Sequence, residues 1–440
     1  MNKTAGNLTI AIFLTMMFGC GESRPDFLLE VEINEISVEE APEVNSYAHA
    51  VYENQWLILG GRIDGLHDHR PEFSYPADKS NQNIWVIDPE KKQVWSKPLE
   101  TLPASLEEQL QSTNMSFYQD GNLLTLIGGY GWSETADDYV TFPYLTQVDI
   151  AGLVNAVKKD QDIQPHFNQI ENQQMAVSGG YLAKMGEVYY LVFGNRFDGR
   201  YTTRPNVGHT QVYTNEIRKF RFGKESGETL IISEGKIRDT AHFHRRDYNL
   251  LPQIFPDGAF GYTAFSGVFQ YDRNFPWLYP VNIYRDGYEA VESFEQKFSH
   301  YHGACISVYV EDQNRMDNLF FGGMARFYPD PETGEIINDP LVPSVNTISQ
   351  VSRFADGTMK EAIQDIKMPA LLGASANFIS VKSVPLIKNK IVDYNRLPAG
   401  KTLIGYIYGG LQSSHPNIFL QPTGTSKSTN RIFEVYLIKE

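Results

Sequence analysis

The chain has 440 residues, with 38 Lys and Arg against 53 Asp and Glu, a formal net charge of −15. That balance supplies no basic stripe and argues against a nucleic-acid partner, while a count of two cysteines, Cys20 and Cys305, excludes a disulfide scaffold and any zinc or iron–sulfur centre built on several thiolates. A chain 42% hydrophobic and 21% charged is globular, and 13% aromatics with 35 Gly lean towards strands joined by turns.

The chain opens with Lys3 and an apolar run, NLTIAIFLTMMFG over 7–19, too short for a stable bilayer span. It has the build of a signal peptide, expected over 1–19, with a short tether over 20–26 and one domain over 27–440. Met17-Phe18-Gly19-Cys20 resembles a bacterial lipobox, although Met17 and Phe18 depart from the usual Leu and small residue. The resemblance implies lipidation at Cys20 and a place in the cell envelope, with membrane contact through the lipid anchor only. The alternative is an ordinary secretory signal with an incidental Cys.

Beyond the leader, an apolar strand ending in a glycine pair recurs: WLILGG (56–61), LLTLIGG (123–129), YYLVFGN (189–195), YTAFSG (262–267), LFFGG (319–323) and IGYIYGG (404–410). Most of these have a strand before them across a tight turn, Glu53-Asn54 in the first unit and Asp120-Gly121 in the second. A long polar loop and a third strand follow, among them NIWVID (83–88), VYTNEIRKFRF (212–222) and RIFEVYLI (431–438), and in several units a fourth, such as QVWSKPL (93–99). Six four-stranded units of this kind cannot each bury two faces alone, so radial packing in an all-β propeller is expected. The last unit lacks a fourth strand, and FLLEVEINEI (27–36) is the spare segment expected to supply it.

The pairs Gly60-Gly61, Gly128-Gly129, Gly322-Gly323 and Gly409-Gly410, with NIWVIDP and the following Trp95, resemble the kelch repeat; Gly194-Asn195 and Ser266-Gly267 depart from it. The resemblance implies a six-bladed kelch-like β-propeller, its last blade closed by the N-terminal strand.

In such a fold the loops after the glycine pairs share one face, a usual place for binding. They carry Arg62, His67 and His69, then Trp132, Arg196, Trp277 and Arg326. His49 and His302 precede small residues at the start of first strands and are expected in matching places, lining a channel mouth or bonding a neighbouring blade. The densest polar cluster is HFHRRDYN at 242–249. His242 and His244 would share a strand face, but Arg245 and Arg246 repel a cation, so no metal is expected; the arginines suit a carboxylate or phosphate, or pair with Asp247. Cys305 reads as an inert buried thiol.

No nucleophile elbow, phosphate loop, dinucleotide fingerprint or zinc-protease motif occurs, and no cofactor is expected. The first functional reading is a binding or scaffold protein for a protein, peptide or glycan. The second, which the kelch resemblance permits, is a carbohydrate enzyme of the sialic-acid isomerase type. The third is a purely structural envelope component.

Overall fold

A computed structural model describes residues 24–68, 70, 73–202, 208–388 and 390–440. The fold is all-β, with two short α-helices among the described residues. Six sheets, each built on four antiparallel strands, follow one another along the chain. Sheet 1 comprises Ala48–Tyr52, Gln55–Leu59, Asn83–Asp88 and Gln93–Pro98. Sheet 2 comprises Ser116–Asp120, Leu123–Ile127, Tyr144–Asp149 and Phe167–Glu171. Sheet 3 is Tyr181–Met185, Val188–Val192, Glu216–Glu225 and Glu228–Arg238; sheet 4 is Asn249–Ile254, Phe260–Phe265, Val281–Ile283 and Tyr288–Ala290. Sheet 5 is Cys305–Val310, Arg315–Met324, Ser344–Arg353 and Met359–Lys367, extended past its first strand by Ile391–Asp393 and Leu386–Ile387. Sheet 6 takes Asn377–Ser380, Gly400–Tyr408 and Ile432–Lys439 from the C-terminal part of the chain, and its outer strand is Glu30–Ile36. The spare N-terminal segment therefore pairs as expected, antiparallel to the last strand from Glu30↔Ile438 to Ile36↔Ile432.

The apolar side chains of facing strands meet between consecutive sheets. Leu57 and Leu124 share the cluster of sheets 1 and 2, Leu145 and Leu191 that of 2 and 3, Val192 and Ala264 that of 3 and 4. Phe265 packs with Phe320 and Ile306 with Phe433, and Tyr406 of sheet 6 shares a cluster with Trp56 of sheet 1. Backbone hydrogen bonds make the same circuit just ahead of the first strands. The N–H of Asn114 donates to Ser46 O (3.1 Å), Gly179 to Asn114 (3.2 Å), Asp247 to Gly179 (2.9 Å), His302 to Asp247 (2.8 Å), Ser375 to His302 (2.8 Å) and Ser46 to Ser375 (3.2 Å). Six segments spread from Ser46 to Ser375 thus satisfy each other's polar backbone.

The glycine pairs end the second strands with two consecutive positive φ angles. The second member has φ between +83° and +96° in every unit (Gly61, Gly129, Gly194, Gly267, Gly323, Gly410), a region a Cβ disfavours. The first has φ between +48° and +68°, which an L-residue enters at modest cost, and it is Phe193 in unit three and Ser266 in unit four. The third repeat is therefore Phe193-Gly194, one residue earlier than the Gly194-Asn195 alignment, and it follows the backbone rule of the others.

Two further local expectations are corrected, and two helices join the strands. The second hairpin turns at Gly121-Asn122, since Asp120 pairs with Leu123 and only Gly121 has positive φ. VYTNEIRKFRF is not one strand: His209–Tyr213 pairs with Asn195–Gly199 in a separate hairpin before Glu216–Glu225 begins. Two amphipathic segments within loops are helices, α1 (Ala104–Leu110) and α2 (Ile150–Lys158); α2 buries Ile150, Leu153, Val154 and Val157 between sheets 1 and 2.

Candidate ligand-binding cavity

The loops after the glycine pairs enclose a cavity of about 1120 Å³, lined from all six units. Its floor is the circuit of backbone hydrogen bonds, where Ser46, Asn114, Asp247, His302 and Ser375 face it. The residue before each circuit member also lines the cavity: Asn45, Thr113, Ser178, Arg246, Tyr301 and Ala374. Five of these six equivalent positions are uncharged. Arg246 alone places a cation there.

Arg246 is held by reciprocal backbone bonds with Val268, and its side chain is 13% exposed. Its Nε has no hydrogen-bond partner, and its ion pair is with the adjacent Asp247, at 3.6 Å. The guanidinium stays charged, so a buried, incompletely bonded fork faces the cavity. Burial pushes the Asp247 carboxyl up from its ordinary value, with Arg246 pulling it back in part. Arg245, its neighbour in sequence, has another role. Its side chain is fully buried, donates from Nε to His242 O (2.8 Å) and from Nη1 to Ser266 O and Tyr279 O (2.8 Å each), and lies 4.8 Å from both the Trp277 and Tyr279 rings. The expected paired anion site is thus divided, because consecutive residues on extended backbone point to opposite sides.

The walls differ. From units one to three come aromatic rings: Tyr75, Tyr130, Phe197 and Tyr201. Tyr75 meets Tyr130 edge-on at 5.4 Å and Tyr201 at 5.5 Å, and Tyr130 donates a hydrogen bond to Gly199 O (2.8 Å). Arg62 supports this wall, since it is 6% exposed, chelates Asp64 (2.8 and 2.6 Å) and lies 5.0 Å from the Tyr75 ring. His67 stacks on Tyr75 at 5.2 Å. From units five and six come mostly aliphatic residues and prolines, Pro340 to Pro343, Leu411, Pro416, Ile418 and Leu420, interrupted by Ser413, Asn417 and Phe419.

The other expected site residues lie elsewhere. Trp132 bonds Glu134 (2.8 Å), Arg196 pairs with Asp198 (2.6 Å), and Arg326 lies between Phe275 and Phe327 while bonding Asn338 (2.8 Å). Trp277 is buried and donates to His244 O (2.8 Å), so it supports the fold and is no platform. Residues 239–245 form no strand, and the two histidines separate: His242 bonds the Tyr279 hydroxyl (2.9 Å), whereas His244 is stacked between Tyr213 (3.6 Å) and Tyr271 (3.9 Å). Among the described residues no group of three His, Cys, Asp or Glu is placed to hold a metal. His69 and Cys20 lie outside the described residues. His49 is beyond the floor, 5.1 Å from Phe117. It does not match His302, whose equivalent by the backbone circuit is Ser46. Cys305 is partly buried and burial pushes its thiol up to about 12, which makes it inert. Sequence reading missed the tyrosine wall because its members come from three loops with no common spacing; Tyr130, directly after Gly128-Gly129, carried the one local signal.

Three histidines near the floor are held neutral by burial, His49 at about 3 and His300 and His302 at about 4. His300 is fully buried, with Nδ1 accepting from Arg326 N (2.9 Å) and Nε2 bonded to Gln296 O (3.1 Å). Its folded pKa lies below the unfolded value of 6.5, so its contribution is complete above pH 6.5 and is lost as pH falls towards about 4. Glu361, pushed up to about 8 by burial, contributes the opposite slope above its unfolded value. The difference between wild type and His300→Gln isolates the histidine: the variant's unfolding free energy, measured by urea titration, should fall less between pH 6.5 and 4, by up to ~3 kcal/mol. Parallel profiles would contradict this.

Comparisons with known proteins add little. No protein-family model matches the chain, and no curated protein matches it. A solved structure of a protein called YjhT is similar at a TM-score of 0.41 with 10% identity, over 72% of this chain and 83% of that one.

Proposed function

We propose that the chain is a six-bladed kelch-like β-propeller over residues 27–440, held in the bacterial envelope by a lipid on Cys20, and that it binds a carboxylated glycan in its cavity. The single observation that carries the binding reading is Arg246, the one charged side chain among six equivalent floor positions, with an unpartnered Nε. Tyrosine rings beside such a cation suit a sugar: the rings cover its C–H faces and the fork takes its carboxylate. The cavity is large enough for a small ligand or a short glycan segment. Sheet order and the N-terminal outer strand support the propeller reading.

The test is a glycan array. Glycans ending in uronic or sialic acid should bind at least about tenfold better than neutral ones, and Arg246→Gln should remove the preference while the circular-dichroism spectrum is kept. Equal binding of charged and neutral glycans, or binding untouched by Arg246→Gln, would sink the reading.

A second reading, a carbohydrate enzyme of the sialic-acid isomerase type, is favoured by Asp247. Its raised carboxyl beside Arg246 has the character of a general acid–base group. Anomer or epimer exchange followed by proton NMR, lost in Asp247→Asn, would support it.

A further inference from the structure

The cavity's two walls differ in chemistry, and one of them carries exposed aliphatic side chains. Nine large hydrophobic side chains are exposed among the described residues; all but Leu230 lie in the segments that follow the glycine pairs, and Leu341, Phe419 and Leu420 line the cavity. Leu341 (53% exposed) and Leu420 (64%) line the cavity from units five and six. Exposed apolar side chains that line a cavity mark a surface that is covered in use. The anchoring membrane is not what covers it. The strand Glu30–Ile36 reaches the glycine-pair end at Ile36, opposite Ile432 and hence Tyr408, and leaves by Glu30 at the far end. The described residues before the strand, 24–29, therefore lie at the end opposite the cavity.

We infer that the ligand is amphipathic: an anionic group on Arg246, a ring against Tyr75, Tyr130 and Tyr201, and an aliphatic chain lying along the Leu341–Leu420 wall. This rests on the anion-binding reading above. Arg246 accounts for the charge, the tyrosines for a flat ring, and neither accounts for an aliphatic wall that remains exposed without a partner. An acylated or alkylated acidic sugar fits all three surfaces at once.

Methyl and octyl glucuronide, titrated calorimetrically below the micelle concentration, separate the terms. Burying two methylenes of the tail is worth about fifteenfold. Octyl glucuronide should thus bind at least about tenfold tighter than methyl glucuronide. Leu341→Ser with Leu420→Ser should bring that ratio close to one and leave methyl glucuronide unchanged; both side chains are exposed, so the fold is kept. A wild-type ratio near one, or no binding of either probe, overturns the inference. A tail gain that survives the double substitution overturns it too. Arg246→Gln is the separate check on the underlying reading: it should weaken both probes equally, and if it weakens neither, the anion site fails whatever the tail does.

Discussion

A chain that starts after Ile36 will not reach a stable folded state, whereas one that starts at Arg24 will. The strand Glu30–Ile36 forms a seven-residue ladder with Ile432–Lys439. It also places Val31 (7% exposed), with the preceding Leu29 (3%), in the cluster between sheets 5 and 6. Arg431 grips Glu35 with two bonds (2.6 and 2.7 Å), and Gln350 bonds both Leu29 N and Phe27 O (3.0 Å each). Removing the strand loses about 1.5–3 kcal/mol per buried side chain and about 1 kcal/mol per ladder bond. The sum approaches the whole stability of an ordinary domain, about 5–15 kcal/mol. It also opens a long edge to intermolecular pairing. Size-exclusion chromatography and urea unfolding should therefore show aggregation or no cooperative transition. A peptide of residues 24–36 added in excess should restore the transition by adding its strand. A truncated protein with an unchanged urea midpoint would refute the closure.

The second large effect is Gly128→Ala, expected to cost about 3–5 kcal/mol by urea unfolding. At φ +67° the backbone itself tolerates a side chain, as Phe193 and Ser266 do at the same repeat position. What forbids it is space. A Cβ on Gly128 would sit 1.9 Å from the carbonyl oxygen of Val177 and 2.9 Å from that of Met175, in the backbone of the next unit. That same Val177 oxygen accepts from Gly129 N (3.1 Å), so the neighbour cannot retreat without losing a bond. Gly121→Ala is the control. It has positive φ and nothing within 4 Å of the added atom, and should cost about 1–2 kcal/mol. Equal losses at the two sites would mean that conformation, not close approach, decides both.

Much of the fold was legible because its determinants are local. Strand alternation, turn residues and glycines at forced positive φ repeat along the chain, and each unit leaves two faces that only neighbours can cover. The absent fourth strand of the last unit and the unassigned segment at 27–36 were likewise visible as a mismatch to be resolved by pairing. Where local reading went wrong, a tertiary contact had replaced a sequence rule. Phe193 occupies a glycine position because its ring packs on Phe243 at 4.5 Å, and α2 forms in a loop because its apolar face closes the gap between sheets 1 and 2.

The candidate site was legible only in part. HFHRRDYN marked the right segment, but composition could not separate Arg245, which holds carbonyls in the core, from Arg246, which reaches the cavity. Nor could it bring Tyr75, Tyr130 and Tyr201 to one wall. By itself the sequence determined the repeating strands, the glycine turns and the terminus free to pair, since each depends on neighbouring residues along the chain. The tertiary structure decided which side chains face the cavity and which face the core, because that direction is set by contacts between units far apart in sequence.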